Sequence, residues 1–247
     1  MKTRIVISGA GLWLLCALIL AAEPSAQFAK ANQEYAAGDF KAAIDDYEEL
    51  VRSGQDTPNL FYNLGNAYFR KTDFGRAILN YERALALDPH HPEAEANLRI
   101  ARDEARALEL VPNRWERIFA FADENQYALV ASTSFWIGIF SVAASVFGRG
   151  RGRGAVALSI LSLSIFAIAV GASYELGRGK NGRGLAIVTG DKVEARLATA
   201  DNANRVLTLP AGSEIKIASQ RGDWLYAVLP NNLRGWIPST GAEQVRL

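Results

Sequence analysis

Side chains suited to catalytic or metal chemistry are scarce in this chain. It has two histidines, His90 and His91, and one cysteine, Cys16. The histidines are adjacent and stand directly before Pro92. A metal pair is one use for such a doublet, but neighbouring side chains on an extended segment point apart, and a solvated loop is the better reading. One cysteine makes no disulfide within a chain and no cysteine-based metal site. A Ser-His-Asp relay would have to recruit one of the two loop histidines. No phosphate loop and no nucleophile–base spacing is present in the sequence. The expectation is a protein that is not an enzyme and takes no cofactor and no metal. A net charge of +1 over 247 residues supplies no global field for nucleic acid. What remains is recognition chemistry, carried by amides, guanidinium groups and aromatic rings.

The elements that would position those groups are set by three charge-free apolar runs. The first, Ile5 to Ala22, follows Lys2 and Arg4 and precedes the polar Glu23-Pro24-Ser25. That order describes a secretory signal. The run is also long enough to stay as an anchor, so residues 1–22 are read as signal peptide or signal anchor. Leu15, rather than a small residue, precedes Cys16, which argues against lipoprotein processing. The second run, Tyr127 to Phe147, has 21 residues, and the third, Ala155 to Tyr174, has 20. Each would reach about 30 Å as a helix, the thickness of a hydrocarbon core. No remaining segment is large enough to bury two uniformly apolar helices, so two transmembrane spans are expected.

Between the spans lies Gly148-Arg149-Gly150-Arg151-Gly152-Arg153-Gly154. Alone, this would suggest a nucleic-acid-binding tract. Between two spans it reads as a tight cytoplasmic turn that obeys the positive-inside rule. Arg178, Lys180 and Arg183 follow the third run and pull the other way. The N-terminal signal breaks the tie. Export followed by two crossings leaves both soluble parts outside the cytoplasm.

An internal repeat with an offset of 34 is the strongest pattern in the chain. Asn32 matches Asn66, and Asp39-Phe40 matches Asp73-Phe74. Ala42-Ala43-Ile44 matches Arg76-Ala77-Ile78, and Tyr47 matches Tyr81. Pro58 matches Pro92, and Asn63-Leu64 matches Asn97-Leu98. Small residues such as Gly65 and Ala77 suit close helix contact, with Tyr68 and Tyr81 filling the space beside them. Pro89 ends the unit, because proline lacks an N–H and disfavours helix in Asp88 before it. On Phe61, Leu64-Gly65, Tyr68, Ala77, Tyr81, Ala84 and Pro89, this block resembles the tetratricopeptide repeat. The first repeat departs from the pattern, with Ala31 in the place of Gly65 and Glu34 in that of Tyr68. A third unit begins at Pro92 and gives one helix to about Leu110 before Pro112 cuts it short. Its charged residues, Arg99, Arg102, Asp103, Glu104 and Arg106, read as the polar cap of a solenoid end.

In that family the first helix of each repeat lines a concave groove. The resemblance makes Phe28, Asn32, Tyr35, Tyr62, Asn66, Phe69 and Arg70 the peptide-groove candidates. An asparagine amide both donates and accepts, which suits a peptide backbone. Arg70 could meet a carboxylate. The competing reading is that all seven are solvated or packed within a small module.

From Leu185 the pattern turns to short alternating runs, such as Glu214-Ile215-Lys216-Ile217 and Trp224-Leu225-Tyr226-Ala227-Val228. Pro210-Ala211-Gly212, Gln220-Arg221-Gly222-Asp223 and Pro230-Asn231-Asn232 mark turns. Five or six strands in 63 residues suit a small barrel. Ala186-Ile187-Val188, Gly222-Asp223-Trp224-Leu225-Tyr226 and Gly235-Trp236-Ile237-Pro238 resemble a bacterial SH3-like domain, with Tyr226 and Trp236 as surface candidates. Trp224 is expected to be core filling.

The expected fold is multidomain: an all-α tetratricopeptide solenoid, two transmembrane helices and a C-terminal small all-β SH3-like barrel. The divisions are 1–22 signal, 25–110 repeat module, 111–126 linker, 127–147 span, 148–154 basic turn, 155–176 span, 177–184 linker and 185–247 barrel. This order of parts resembles the BatE-type proteins of bacterial aerotolerance operons. The resemblance implies an inner-membrane protein whose soluble domains face the periplasm. It implies protein partners that include membrane-bound von Willebrand A-domain (VWA) proteins and a MoxR-type ATPase, in stress or oxygen tolerance. A cell-wall-associated binder or sensor, with the barrel on peptidoglycan, is the alternative.

Overall fold

The computed structural model describes residues 26–148, 153–178, 182 and 184–246. The signal reading on residues 1–22 lies outside them, as do residues 149–152 of the basic turn and Lys180 and Arg183. The chain divides into two compact units, Met1–Asp56 and Thr57–Leu247.

In the first unit, α1 (Ala26–Ala36) and α2 (Phe40–Arg52) form a helical pair. Asp39 starts α2 by accepting from the Ala42 N–H at 3.1 Å, an N-cap that satisfies an otherwise orphaned donor. Ala31 and Ala43 are fully buried, with Tyr47 and Leu50 beside them. Lys30 reaches Asp46 at 2.6 Å and Glu34 at 3.1 Å on the outer surface. The hydrogen bond to Asp46, then that to Glu34, holds its ammonium above the ordinary lysine value.

The second unit begins with the next helical pair, α3 (Pro58–Arg70) and α4 (Phe74–Leu87), followed by α5 (Pro92–Ala105). The caps repeat the logic of the first unit. Thr57 accepts from Leu60 N–H at 3.2 Å, and Asp73 accepts from Arg76 N–H at 3.1 Å. Pro58 and Pro92 occupy the first helical turn, where a missing N–H costs nothing. Phe61, Leu64, Ile78, Leu79, Tyr81 and Leu98 form the buried seam of the three helices. A Cβ on Gly65 would stand 2.7 Å from the Tyr81 ring, so the α3–α4 contact requires glycine there.

Two long helices follow a short one, α6 (Arg114–Phe119). They are α7 (Glu124–Phe147) and α8 (Arg153–Arg178), both long and apolar enough to cross a membrane. Their shared seam is built of small and weakly polar residues. Ala131, Ser134, Gly138 and Ser141 are buried on α7, and Ser159, Ser162, Ala169 and Ala172 on α8. The large apolar side chains, among them Leu129, Trp136, Phe140, Ile160, Leu161 and Ile168, point outward and are exposed. Small residues inside and bulky apolar ones outside reverse the pattern of a water-soluble helix pair.

Seven short strands complete the unit: β1 (Leu185–Val188), β2 (Lys192–Arg196), β3 (Arg205–Pro210), β4 (Glu214–Arg221), β5 (Trp224–Val228), β6 (Arg234–Pro238) and β7 (Ala242–Gln244). All pairings are antiparallel, in the order β3-β2-β6-β5-β4-β1-β7. Among the described residues no pairing joins β3 to β7, so the sheet is not closed. The strands number seven rather than the five or six expected, because the C-terminal β7 adds itself to β1. Val188, Val193, Ala195, Leu209, Ile215, Leu225, Ala227, Leu229 and Ile237 make its core.

The sheet does not stand apart from the helices of its unit. β1 lies against α4, and the Arg83 guanidinium of α4 donates to the Gln244 carbonyl of β7 at 3.0 Å. Gly212 has φ +79°, and its missing Cβ would fall 2.2 Å from the Ile78 methyl of α4. Only glycine satisfies both conditions. The end of the solenoid is thus covered by the sheet as well as by the charged helix α5.

Candidate protein-interaction surfaces

The two repeats place their equivalent candidate residues in equivalent contacts. Tyr47 donates its hydroxyl to Asn32 Oδ1 at 2.6 Å, and Tyr81 donates to Asn66 Oδ1 at 2.8 Å. The Tyr35 and Phe40 rings meet edge-to-face at 5.4 Å, as do those of Phe69 and Phe74. Phe28 lies 5.9 Å from Tyr47, and Tyr62 lies 6.2 Å from Tyr81. Each candidate aromatic therefore rests on the second helix of its own repeat, with part of its surface still open. Arg70, at the end of α3, is exposed.

Further along, α5 extends the polar row. Asn97 donates to Asn66 Oδ1 at 2.8 Å and approaches the Tyr62 hydroxyl at 3.5 Å. The His91 ring lies tilted against that of Tyr62 at 5.0 Å, and His91 caps α5 by accepting from Ala94 N–H at Nδ1. Phe28, Asn32 and Tyr35 belong to the first unit, whereas Tyr62, Asn66, Phe69 and Arg70 belong to the second.

The junction of α5 with the sheet centres on Glu214, whose residue is 0 % exposed. Its carboxylate accepts from the Arg102 guanidinium through Oε1 and from the Leu110 N–H through Oε2 at 2.8 Å. Arg102 also bonds Glu82 of α4. Glu214 N–H donates to Leu108 carbonyl at 2.8 Å, and Leu108 N–H donates to Ser213 Oγ at 3.1 Å. The segment after α5 is thereby tied to the start of β4. A buried carboxylate requires such partners, since desolvation without them is costly. The expected polar cap is revised accordingly. Arg99, Asp103, Glu104 and Arg106 are exposed, but Arg102 turns inward.

Beside this junction is a cleft of about 840 Å3 between α4, α5, the base of the hairpin and β1. Glu82, Glu95, Glu116, Glu124, Arg102 and Arg246 line it in part. Its two arginines are engaged, Arg102 with Glu82 and Glu214, and Arg246 with Glu124 at 3.8 Å. With Asp123 the lining holds five carboxylates against these two arginines, an excess of acid.

The outer face of the sheet carries an aromatic group. Tyr226 and Trp236 are register partners on β5 and β6, with ring centroids 4.9 Å apart. Trp224 lies on the same face, opposite Pro238, and is half-buried. The expectation that Trp224 fills the core does not hold. Leu225 and Ala227 take the inward positions of β5, and alternation turns Trp224, Tyr226 and Val228 outward. Arg221 is the register partner of Trp224, and Arg196 that of Trp236.

Glu214, Arg102 and Ser213 were not among the expected site residues. Polar letters opening an alternating strand read as outward, and a contact spanning 112 residues leaves no local mark. The helix α6 did leave one. Asn113 and Glu116 have the three-residue spacing of a helix start, and Asn113 Oδ1 accepts from both Trp115 N–H and Glu116 N–H.

Residues 28–92 match the tetratricopeptide repeat family. The matched segment runs from α1 to the first residue of α5. No curated protein matches the chain. The chain therefore contains tetratricopeptide repeats, which are in general protein-interaction modules rather than catalytic ones, and they point to protein partners.

Proposed function

We propose that the chain is a membrane-anchored protein-interaction scaffold in the bacterial envelope. The observation that carries the proposal is the contact pattern repeated within the two matched repeats, together with a hairpin whose bulky apolar residues face outward. Matching Tyr–Asn and edge-to-face aromatic contacts order the helical pair of each repeat, and pre-ordered surfaces bind at low ordering cost. The outward apolar faces of α7 and α8 favour lipid as their surroundings. The seven short strands, with Trp224, Tyr226 and Trp236 on one face, support an SH3-like reading of the sheet. The resemblance in the order of parts extends the proposal to a BatE-type role. The soluble parts would then face the periplasm and act with von Willebrand A-domain proteins and a MoxR-type ATPase in stress or oxygen tolerance.

Capture of partners by the full chain from solubilised membranes tests this. Arg70→Glu reverses an exposed charge at the end of α3. Reduced partner recovery by Arg70→Glu is expected. Unchanged recovery would count against the groove.

The Tyr226–Trp236 pair favours a second reading, in which the sheet stacks on peptidoglycan. Sedimentation of the detergent-solubilised full chain with purified peptidoglycan separates the two. Pelleting supports the wall-binding reading, and retention in the supernatant supports the protein scaffold.

A further inference from the structure

The segment between the repeats and the hairpin exposes more large apolar surface than a linker needs. Trp115 is 50 %, Ile118 48 % and Phe121 80 % exposed. Trp115 and Ile118 sit three residues apart on α6, so they share one face of the helix. Arg114 and Arg117 are exposed beside them, and the Arg114 guanidinium lies 5.1 Å from the Trp115 ring. The single acid of this helix, Glu116, is turned inward and buried, where Asn113 donates to it at 2.7 Å. The outward surface is thus aromatic, aliphatic and cationic, with its negative charge withdrawn.

The segment is also held at a fixed place on the hairpin. Phe119 packs against the Tyr127 ring at 6.0 Å, and Tyr127 donates its hydroxyl to the Phe119 carbonyl at 3.2 Å. Phe121 meets the same ring from another side at 5.5 Å. Phe119 joins Leu176 in the cluster at this end of the α7–α8 pair. A helix of 24 residues is about 36 Å long against a hydrocarbon core of about 30 Å. The first turn of α7, with Glu124, accordingly stays at headgroup level. The residues just before it then lie in the same layer, where amphipathic aromatic rings and arginine are favoured.

We infer that residues 111–122, centred on α6, are a lipid-binding foot. Trp115, Ile118 and Phe121 enter the headgroup–acyl boundary of the bilayer that holds the hairpin, while Arg114 and Arg117 meet lipid phosphates. The occupant is that bilayer surface because the segment packs through Phe119 and Phe121 on Tyr127 of the hairpin, whose own large apolar side chains are exposed. The inference rests on the reading of α7 and α8 as membrane spans. Its consequence is positional. The foot fixes the tilt and height of the second repeat and the sheet above the membrane, and keeps them from swinging on a loose tether.

The test uses the full chain with Cys16→Ala, reconstituted in vesicles of phosphatidylcholine and phosphatidylglycerol. One environment-sensitive fluorophore is attached at Ile118→Cys, Ile137→Cys or Leu233→Cys in turn, all three positions being exposed in the structure. Spin-labelled lipids quench at shallow or deep positions. The expected result is shallow quenching at position 118, about twofold or more above that at position 233, with deep quenching at 137. Quenching at 137 with none at 118 beyond the level of 233 would overturn the foot and leave the hairpin standing. No quenching at 137 would overturn both.

Discussion

Arg102 of α5 donates to Glu214 of β4, a contact that closes 112 residues of chain. The Glu214 carboxylate is fully buried, and the Arg102 side chain is 16 % exposed. Breaking a buried pair by removing one partner leaves an uncompensated charge, at a cost of about 3 kcal/mol. Glu214→Ala also strips the Leu110 N–H of its acceptor. Denaturant unfolding of the detergent-solubilised full chain is expected to show a loss of about 3 kcal/mol for Glu214→Ala and less for Glu214→Gln. The Arg102→Ala and Glu214→Ala effects should fall short of additivity when combined. Losses under about 0.5 kcal/mol for both single variants would place the junction outside the folded framework.

Gly65→Ala should destabilise, although alanine favours helix by about 1 kcal/mol over glycine. The new methyl would meet the Tyr81 ring at 2.7 Å, and that ring is held by its hydroxyl bond to Asn66. Overpacking costs about 1–3 kcal/mol, so it outweighs the propensity gain. An unfolding midpoint equal to or above that of the parent chain would contradict the packing of α3 on α4.

Tyr81 and Asn97 share one acceptor, Asn66 Oδ1. Tyr81→Phe and Asn97→Ala each leave that oxygen one donor, so each is expected to cost about 1 kcal/mol. Together they leave it with neither donor, and the double variant should cost more than the two losses added. Simple additivity across the four unfolding curves would argue against a shared acceptor.

Tyr226→Ala and Trp236→Ala should separate binding from folding. The core beneath them is made by Leu225, Ala227 and Ile237, which these changes leave in place. Loss of the ring–ring contact removes about 0.5–1.5 kcal/mol beyond the area the rings bury. Partner or peptidoglycan binding through this face should fall in both variants while the circular dichroism spectrum is kept. Binding at the parent level in both variants would exclude this face as a contact surface.

The helical parts were legible because their signals are local and repeated. An offset of 34 marks both tetratricopeptide units, and capping residues such as Asp39 and Asp73 stand where the helices begin. The apolar runs foretold α7 and α8 within a few residues. The sheet was legible as strands and turns but not as faces. In Trp224-Leu225-Tyr226-Ala227-Val228 every residue is apolar or aromatic, so no alternation tells inside from outside. Pairing with β6 decides it, and Trp224 turns out. Glu214 was misleading for the opposite reason. A carboxylate at a strand start looks solvated until α5 brings a guanidinium to it. Of the groove candidates, sequence indicated their helix and their repeat-equivalence, but not that Tyr47 and Tyr81 would engage the two asparagine carbonyls.

The central claim is that the repeats and the sheet serve as docking surfaces beside a membrane. Crosslinking of the full chain in intact membranes, read by mass spectrometry, tests it most directly. Lys71 at the end of α3 and Lys216 on β4 are suitable reporters. Crosslinks from the repeats to other envelope proteins are expected, reduced several-fold by Arg70→Glu. Crosslinks confined to the chain itself, unchanged by that substitution, would contradict it.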